Sequence, residues 1–265
     1  MRIGICGICG RMGVMIMKEA LQRGHSIAAA FDHDGAPLFG RDAGALLNMK
    51  DLGVTVAAVN EEDVARCDGI IDFSSPAATM RLLDAAIAQK KPLVIGTTGF
   101  SAEETGRIRT ASGVVPLLFS PNMSRGVNVL FRLTEFAAGA LGPDYDVEIF
   151  EAHHRFKKDA PSGTARRLVE AVKSAMKGLG GAKEVAGRSG MTGERTSNEI
   201  GVHAMRGGDI VGEHTVFFVT AGERIELTHR ATSRESLARG AVAAVEFCSG
   251  KSAGLYTMYD VLGFK

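Results

Sequence analysis

The sequence predicts an α/β protein in two parts: a doubly wound parallel sheet, then an α+β domain carrying an open, largely antiparallel sheet. Three observations lead there. The chain opens with a short apolar strand, a glycine turn and an amphipathic helix. Short apolar runs then alternate with helical periods as far as residue 124, the pattern of βα units closing into a parallel sheet. Beyond residue 199 the helical period gives way to strand-like alternation punctuated by Ala221-Gly222. The 265 residues suit one large domain or two modest ones; the change of pattern at Ser124 favours two and puts the first at 1–124.

Arg2–Cys6 reads as the first, buried strand. Gly7-Ile8-Cys9-Gly10-Arg11-Met12-Gly13 follows, and then a helix with Val14, Ile16, Met17, Ala20 and Leu21 on one face, ended by Gly24. This is the Rossmann-type dinucleotide-binding arrangement, in which glycines let backbone amides approach a pyrophosphate at a helix N-terminus. The spacing Gly-x-x-Gly-x-x-Gly departs from the commoner Gly-x-Gly-x-x-Gly, so context carries the reading: strand Ser26–Phe31 ends at Asp32, 19 residues beyond Gly13. A carboxylate there takes ribose hydroxyls and disfavours a 2′-phosphate. The next residue is His33, neutral most of the time at pH 7, so NADH is the expected cofactor, with Arg11 giving NADPH a partial foothold.

Further βα units are expected as strand Gly69–Phe73 and a helix capped by Ser74-Ser-Pro76 that runs to about Gln89. Next come strand Pro92–Ile95, helix Ala102–Thr110 and strand Val115–Phe119. Ligand-facing loops of such sheets lie at the carboxyl ends of the strands. Gly96-Thr97-Thr98 and Ser120-Pro121-Asn122-Met123 occupy such ends, although either alone could be an ordinary βα turn.

The second part begins with a helix, Val127–Leu141, and a strand, Asp146–His153. That strand leads into Glu151-Ala-His153-His154-Arg-Phe-Lys157-Lys158-Asp-Ala-Pro-Ser162-Gly163-Thr164. Pro161 forbids helix before it and Ser162 is a good N-cap, so a helix should start near Gly163. Its free amides beside Lys157 or Lys158 suit a carboxylate or phosphate, and a histidine in the same loop can supply a proton. A basic loop is more often plain surface, and the order of these residues is what argues otherwise. Residues 178–198, glycine-rich and unperiodic, read as a mobile excursion. Strands are expected at Glu199–Arg206, Ile210–Val211, His214–Thr220 and Arg224–Ala231, and an open sheet with helices on one face invites oligomerisation.

Composition excludes several classes. With 31 basic against 30 acidic residues, no tryptophan and few aromatics, nothing points to nucleic acid. The N-terminus has no signal-peptide character and no apolar run spans a membrane, so a cytoplasmic protein is expected. Four cysteines read as free thiols; Cys6 and Cys9 are small fillers of a tight turn, although Cys9 near a helix N-terminus could have a lowered pKa. His25 stays outside the candidate site. His203, His214 and His229 fall in strands and read as satisfied structural groups; no set has metal-ligand spacing, so no metal is expected.

The ordered run His-His-x-x-Lys-x-Asp-Ala-Pro-Ser-Gly-Thr-Ala resembles the signature of the 4-hydroxy-tetrahydrodipicolinate (dihydrodipicolinate) reductases of lysine biosynthesis. The resemblance extends over the whole chain, through Arg206-Gly-Gly-Asp-Ile-Val-Gly-Glu-His214-Thr and Glu223-Arg-Ile-Glu-Leu-Thr-His229-Arg-Ala-Thr-Ser. It implies NAD(P)H-dependent reduction, in the diaminopimelate route, of a dicarboxylate made from 4-hydroxy-tetrahydrodipicolinate. It makes His153 the proton donor/acceptor and Lys157 the second proton donor. His154 would contact substrate, as would Ser162, Gly163 and Thr164 at the helix start, the last two binding a carboxylate. Gly7–Met12, Asp32, His33, Gly96–Thr98 and Ser120–Met123 would line the cofactor site. It further implies a homotetramer built from a substrate-binding and oligomerisation domain at 125–233, with 234–265 returning to the first domain. Family members often have arginine where His33 stands, and alanine and phenylalanine where Pro121 and Met123 stand; Cys9 in the glycine loop is a further departure. The rivals are another two-domain NAD(P)-dependent amino-acid dehydrogenase, which would lack the signature loop, and a non-catalytic NADH-binding redox sensor, supported by the Cys-x-x-Cys alone.

Overall fold

The computed structural model describes Met1–Phe264. It divides into two compact units, Met1–Arg125 with the chain from Arg234 onward, and Gly126–Ser233. Along the first stretch run β1 (Arg2–Cys6), α1 (Arg11–Gln22), β2 (Ser26–Phe31), a 3₁₀ turn (Ala43–Leu47), β3 (Val56–Ala57), α2 (Glu61–Ala65), β4 (Gly69–Asp72), α3 (Pro76–Ala88), β5 (Leu93–Ile95), α4 (Ala102–Ala111) and β6 (Pro116–Phe119). Then come α5 (Arg125–Leu141), β7 (Asp146–His153), α6 (Gly163–Ala175), β8 (Lys183–Ala186), β9 (Glu199–Arg206), β10 (Gly212–Thr220) and β11 (Glu223–Ala231). The chain ends with α7 (Glu235–Cys248), β12 (Gly254–Tyr256) and α8 (Met258–Val261).

The first unit is a seven-stranded sheet in the order β12-β6-β5-β4-β1-β2-β3, parallel throughout. Both faces are covered, which is why β1, β4 and β5 are apolar almost without interruption. On one face α1 and α7 bury Ile16, Met17, Val242 and Val245 with Ile3 and Ile5; on the other, Leu82, Leu83 and Ile108 pack with Phe31 and Ile70. Strand order reverses between β1 and β4, the switch point outside which such sheets bind ligands. β3, α2 and β12 have no counterpart among the expected elements. Strands of two and three residues are too short to show a period.

The second unit is a five-stranded sheet, β11-β10-β7-β9-β8. The expected antiparallel pairing holds for β10 with β11 and with β7, but β7·β9 and β8·β9 are parallel, so the sheet is mixed. The cause is the crossover through α6, which returns the chain to β8 and β9 in the direction of β7. α6 packs on β7 and β10, burying Leu168, Val169 and Val172 with Ile149, Val216 and Phe218. Residues 178–198 are not the bare excursion expected: they contain β8, and Arg188 and Arg195 bind Glu148 at 3.0 Å each. Among the described residues no helix is long and apolar enough to cross a membrane.

Candidate functional site

In the first unit, chemistry gathers where β1, β2 and β4 end. Gly7 sits at φ +77°, and a Cβ there would run into the Phe73 carbonyl. Gly13 lets α1 close onto the backbone of Gly7 and Ile8. Gly10 caps α1 with no side-chain hydrogen bond, leaving the first-turn amides at Arg11 and Met12 to an external acceptor. A cleft of ≈ 590 Å³ opens beside this turn, lined by Gly7, Cys9, Gly10, Asp32, His33 and Arg81 among others. The Asp32 carboxylate accepts the Cys9 amide (2.9 Å) and the His33 amide (2.9 Å), locking the glycine loop to the end of β2. Open amides, a glycine-lined approach and a carboxylate facing one cleft fit a dinucleotide.

The other two loops are braced by the protein itself. The Thr97 hydroxyl donates to buried Asp72 (2.8 Å) and accepts the Ser74 amide (2.9 Å), while Thr79 and Ser74 also donate to Asp72. Burial pushes the Asp72 carboxyl up, against the pull of these hydroxyls. Gly96 lies against the Phe73 ring with no room for a Cβ, and Thr98 is exposed. Ser120 donates to the Asn122 carbonyl (2.9 Å), and the Asn122 side chain accepts the Ser124 amide (2.9 Å). Pro121 is exposed, whereas the Met123 side chain is core, so only its backbone is left to meet a ligand. The Cys9 thiol does not show the lowered pKa that its place near a helix N-terminus allowed: burial first, then Asp32, pushes it up, and all four cysteines are free.

In the second unit β7 delivers Glu151 and His153 to one face of its sheet. Glu151 is fully buried. His153 Nδ1 lies 2.6 Å from its Oε2, the Ser162 amide donates to Oε1 (3.0 Å), and Arg206 from β9 clamps both oxygens (2.7 and 2.8 Å). Burial works to raise the Glu151 carboxyl, but these donors prevail and hold it low. His153 is depressed chiefly by burial, with Glu151 pulling the other way. Ser162 caps α6 by accepting the Ala165 amide (3.2 Å), leaving the Gly163 amide at the head of the helix, beside Thr164. Lys157 donates to Asp159 (2.8 Å), while His154 is partly buried near Phe156, its Nδ1 without a hydrogen-bond partner among the described residues.

Sequence reading thus brought His153, Lys157, Ser162 and Gly163 into one loop but missed what holds them. Glu151 was visible two residues before His153 on the same strand face; Arg206 and His214 lie 55 and 52 residues from the groups they meet, beyond any local signal. The satisfied structural role expected of the strand histidines holds in part. His203 pairs with Glu148 (2.7 Å) and His214 Nε2 meets the Ser162 hydroxyl (3.2 Å), but Nδ1 of both His214 and His229 has no partner among the described residues. Nor do the described residues hold any group of three or more His, Cys, Asp or Glu able to bind a metal.

The family model described as dihydrodipicolinate reductase, N-terminus, matches residues 1–123, and its C-terminal counterpart matches 126–262. The 4-hydroxy-tetrahydrodipicolinate reductase of Magnetococcus marinus is 46% identical over 265 residues, covering 100% of this chain and 99% of its own. That of Burkholderia pseudomallei (strain 668) is 48% identical over 266 residues, covering 100% of both. Among solved structures, a dipicolinate-bound dihydrodipicolinate reductase from Paenisporosarcina sp. TG-14 shares the fold at TM-score 0.77 and 22% identity, covering 98% of each chain. A scyllo-inositol dehydrogenase from Lactobacillus casei with NAD(H) matches at TM-score 0.56 and 14% identity, over 98% of this chain and 92% of its own. Matched from end to end by both halves of the family model, the chain belongs to the dihydrodipicolinate reductase family.

Proposed function

We propose that this enzyme uses NAD(P)H to reduce the dehydrated form of 4-hydroxy-tetrahydrodipicolinate to tetrahydrodipicolinate, in the diaminopimelate route to lysine in the cytoplasm. The observation that carries the reading is the Glu151–His153–Ser162 cluster, which puts an oriented imidazole next to the open head of a helix. A dianionic ring needs cations and amides at its carboxylates, and its reduction needs an acid where negative charge develops. Gly163 and Thr164 would take one carboxylate at the start of α6, with His154 contacting the ring. His153 would deliver the proton, and Lys157 would be the second donor and a cation for the dianion.

The nicotinamide, when bound, supplies the hydride. Gly7 to Met12 would hold its pyrophosphate through backbone amides, and Asp32 the adenosine ribose. Gly96–Thr98 and Ser120–Met123 would shape the nicotinamide end, stiffened by Asp72 and Asn122. With His33 after Asp32, NADH is the preferred cofactor and NADPH a usable one. The second unit would also be the oligomerisation domain of a homotetramer.

The test follows NADH and NADPH oxidation with substrate generated in situ by the preceding synthase. Turnover with both, faster with NADH, is the expected result. No turnover with either, despite nicotinamide binding, would overturn the reading and return the dehydrogenase and sensor alternatives.

A further inference from the structure

We infer that Glu151 is the positioning residue that fixes the proton-donating histidine and the carboxylate-binding helix end as one unit; this rests on the function proposed above. The carboxylate is fully buried and its two oxygens face two different parts of the site. Oε2 meets His153 Nδ1 at 2.6 Å, while Oε1 accepts the Ser162 amide at 3.0 Å, immediately before α6. Arg206 donates to both oxygens, so the carboxylate stays ionised and can only accept. His153 must therefore carry its proton on Nδ1 when neutral, and the proton it delivers leaves from Nε2.

Further contacts close the unit. Arg206 also donates to the Asp159 carbonyl (2.7 Å), and Lys157 binds the Asp159 carboxylate (2.8 Å), so the second donor hangs from the same arginine. His214 reaches the Ser162 hydroxyl from β10 (3.2 Å), and its ring stands edge-on to His153 with centroids 5.2 Å apart. Gly212, also on β10, leaves the space that Nε2 needs: a Cβ there would lie 3.1 Å from it. The charged groups acting on His153 are thus Glu151 on its own strand, Arg206 from β9 and Lys157 from the loop, with His214 opposite on β10. Of these only Glu151 favours the protonated imidazole. Removing its charge while keeping its shape should both loosen the ring and weaken its hold on the proton.

The experiment pairs Glu151→Gln with a ¹⁵N measurement on the unaltered enzyme. In the variant, kcat should fall about tenfold to a hundredfold. The limb of the pH profile that belongs to His153 should move about one unit to lower pH, with the Kd for NADH unchanged. In the unaltered enzyme the ¹⁵N shifts of His153 should report the Nδ1–H tautomer, a readout that stands even if the variant does not fold. An unchanged pH profile and turnover in the variant, or an Nε2–H tautomer in the unaltered enzyme, would overturn the inference. Absence of turnover in the unaltered enzyme would count against the proposed function instead.

Discussion

The His153 imidazole is held below the ordinary histidine range by burial, with Glu151 pulling it back up. For a proton donor the sign matters: the free enzyme loses its acid as pH rises through a value below the ordinary ~6.5. The dianionic substrate proposed above would add negative charge beside the ring and raise that value. The pH profile of kcat should therefore break at higher pH than that of kcat/KM, and coincident breaks would contradict the assignment. His214 carries the stability counterpart, because burial holds it neutral down to about 3. Below ~6.5 the unfolded chain takes up a proton that the folded one refuses, so stability falls progressively as pH drops toward that value. His214→Gln should flatten acid unfolding over that window in a urea titration series. At the proposed cofactor site, Arg81 lines the cleft shared with Asp32 and His33. Arg81→Ala should weaken NADPH binding about tenfold and leave NADH binding unchanged by calorimetry. The loop that carries His153 and Lys157 was legible because its histidines, lysines and Ser-Gly-Thr turn lie within one short stretch, while the roles proposed for these two residues came from the family resemblance. Arg81, a turn into α3, was not, since one exposed arginine on a helix has no distinguishing pattern.

Among the elements, the run from β8 to β9 shows what composition conceals. Glycines and polar residues suggested a mobile excursion, yet Glu148 on β7 is met by Arg188, Arg195 and His203, and Glu199 by Arg188. Burial opposes ionisation of Glu148, but these donors bring its carboxyl down to about 2. The stability it contributes is complete above the ordinary ~4.5 and is lost as pH falls toward 2. Glu148→Gln should speed hydrogen exchange across 187–198 at neutral pH, and the difference should disappear near pH 2; equal exchange at neutral pH would contradict the account. Apart from β3, α2 and β12, the helices and parallel strands of the first unit were legible, since burial on both faces gives the strands apolar runs and the helices between them keep their own period. The parallel pairing of β7 with β9 was not, because side-chain alternation is the same in either direction.

At the scale of the molecule, a sheet covered by α6 on one face leaves the other half-exposed. Along β10, Val216 and Phe218 are buried while Phe217 and Val219 keep partial exposure, and Met205 on β9 is 47% exposed. Sedimentation velocity should give about four times the 28.0 kDa chain mass; a monomer at micromolar concentration would contradict the proposed tetramer. The central claim is that His153, oriented by Glu151, delivers the proton that completes the reduction. The most direct test is turnover of His153→Gln beside the unaltered enzyme, with NADH binding measured in both. The account predicts a loss of kcat of about 10²–10⁴-fold with an unchanged Kd for NADH. Turnover equal to that of the unaltered enzyme would contradict it.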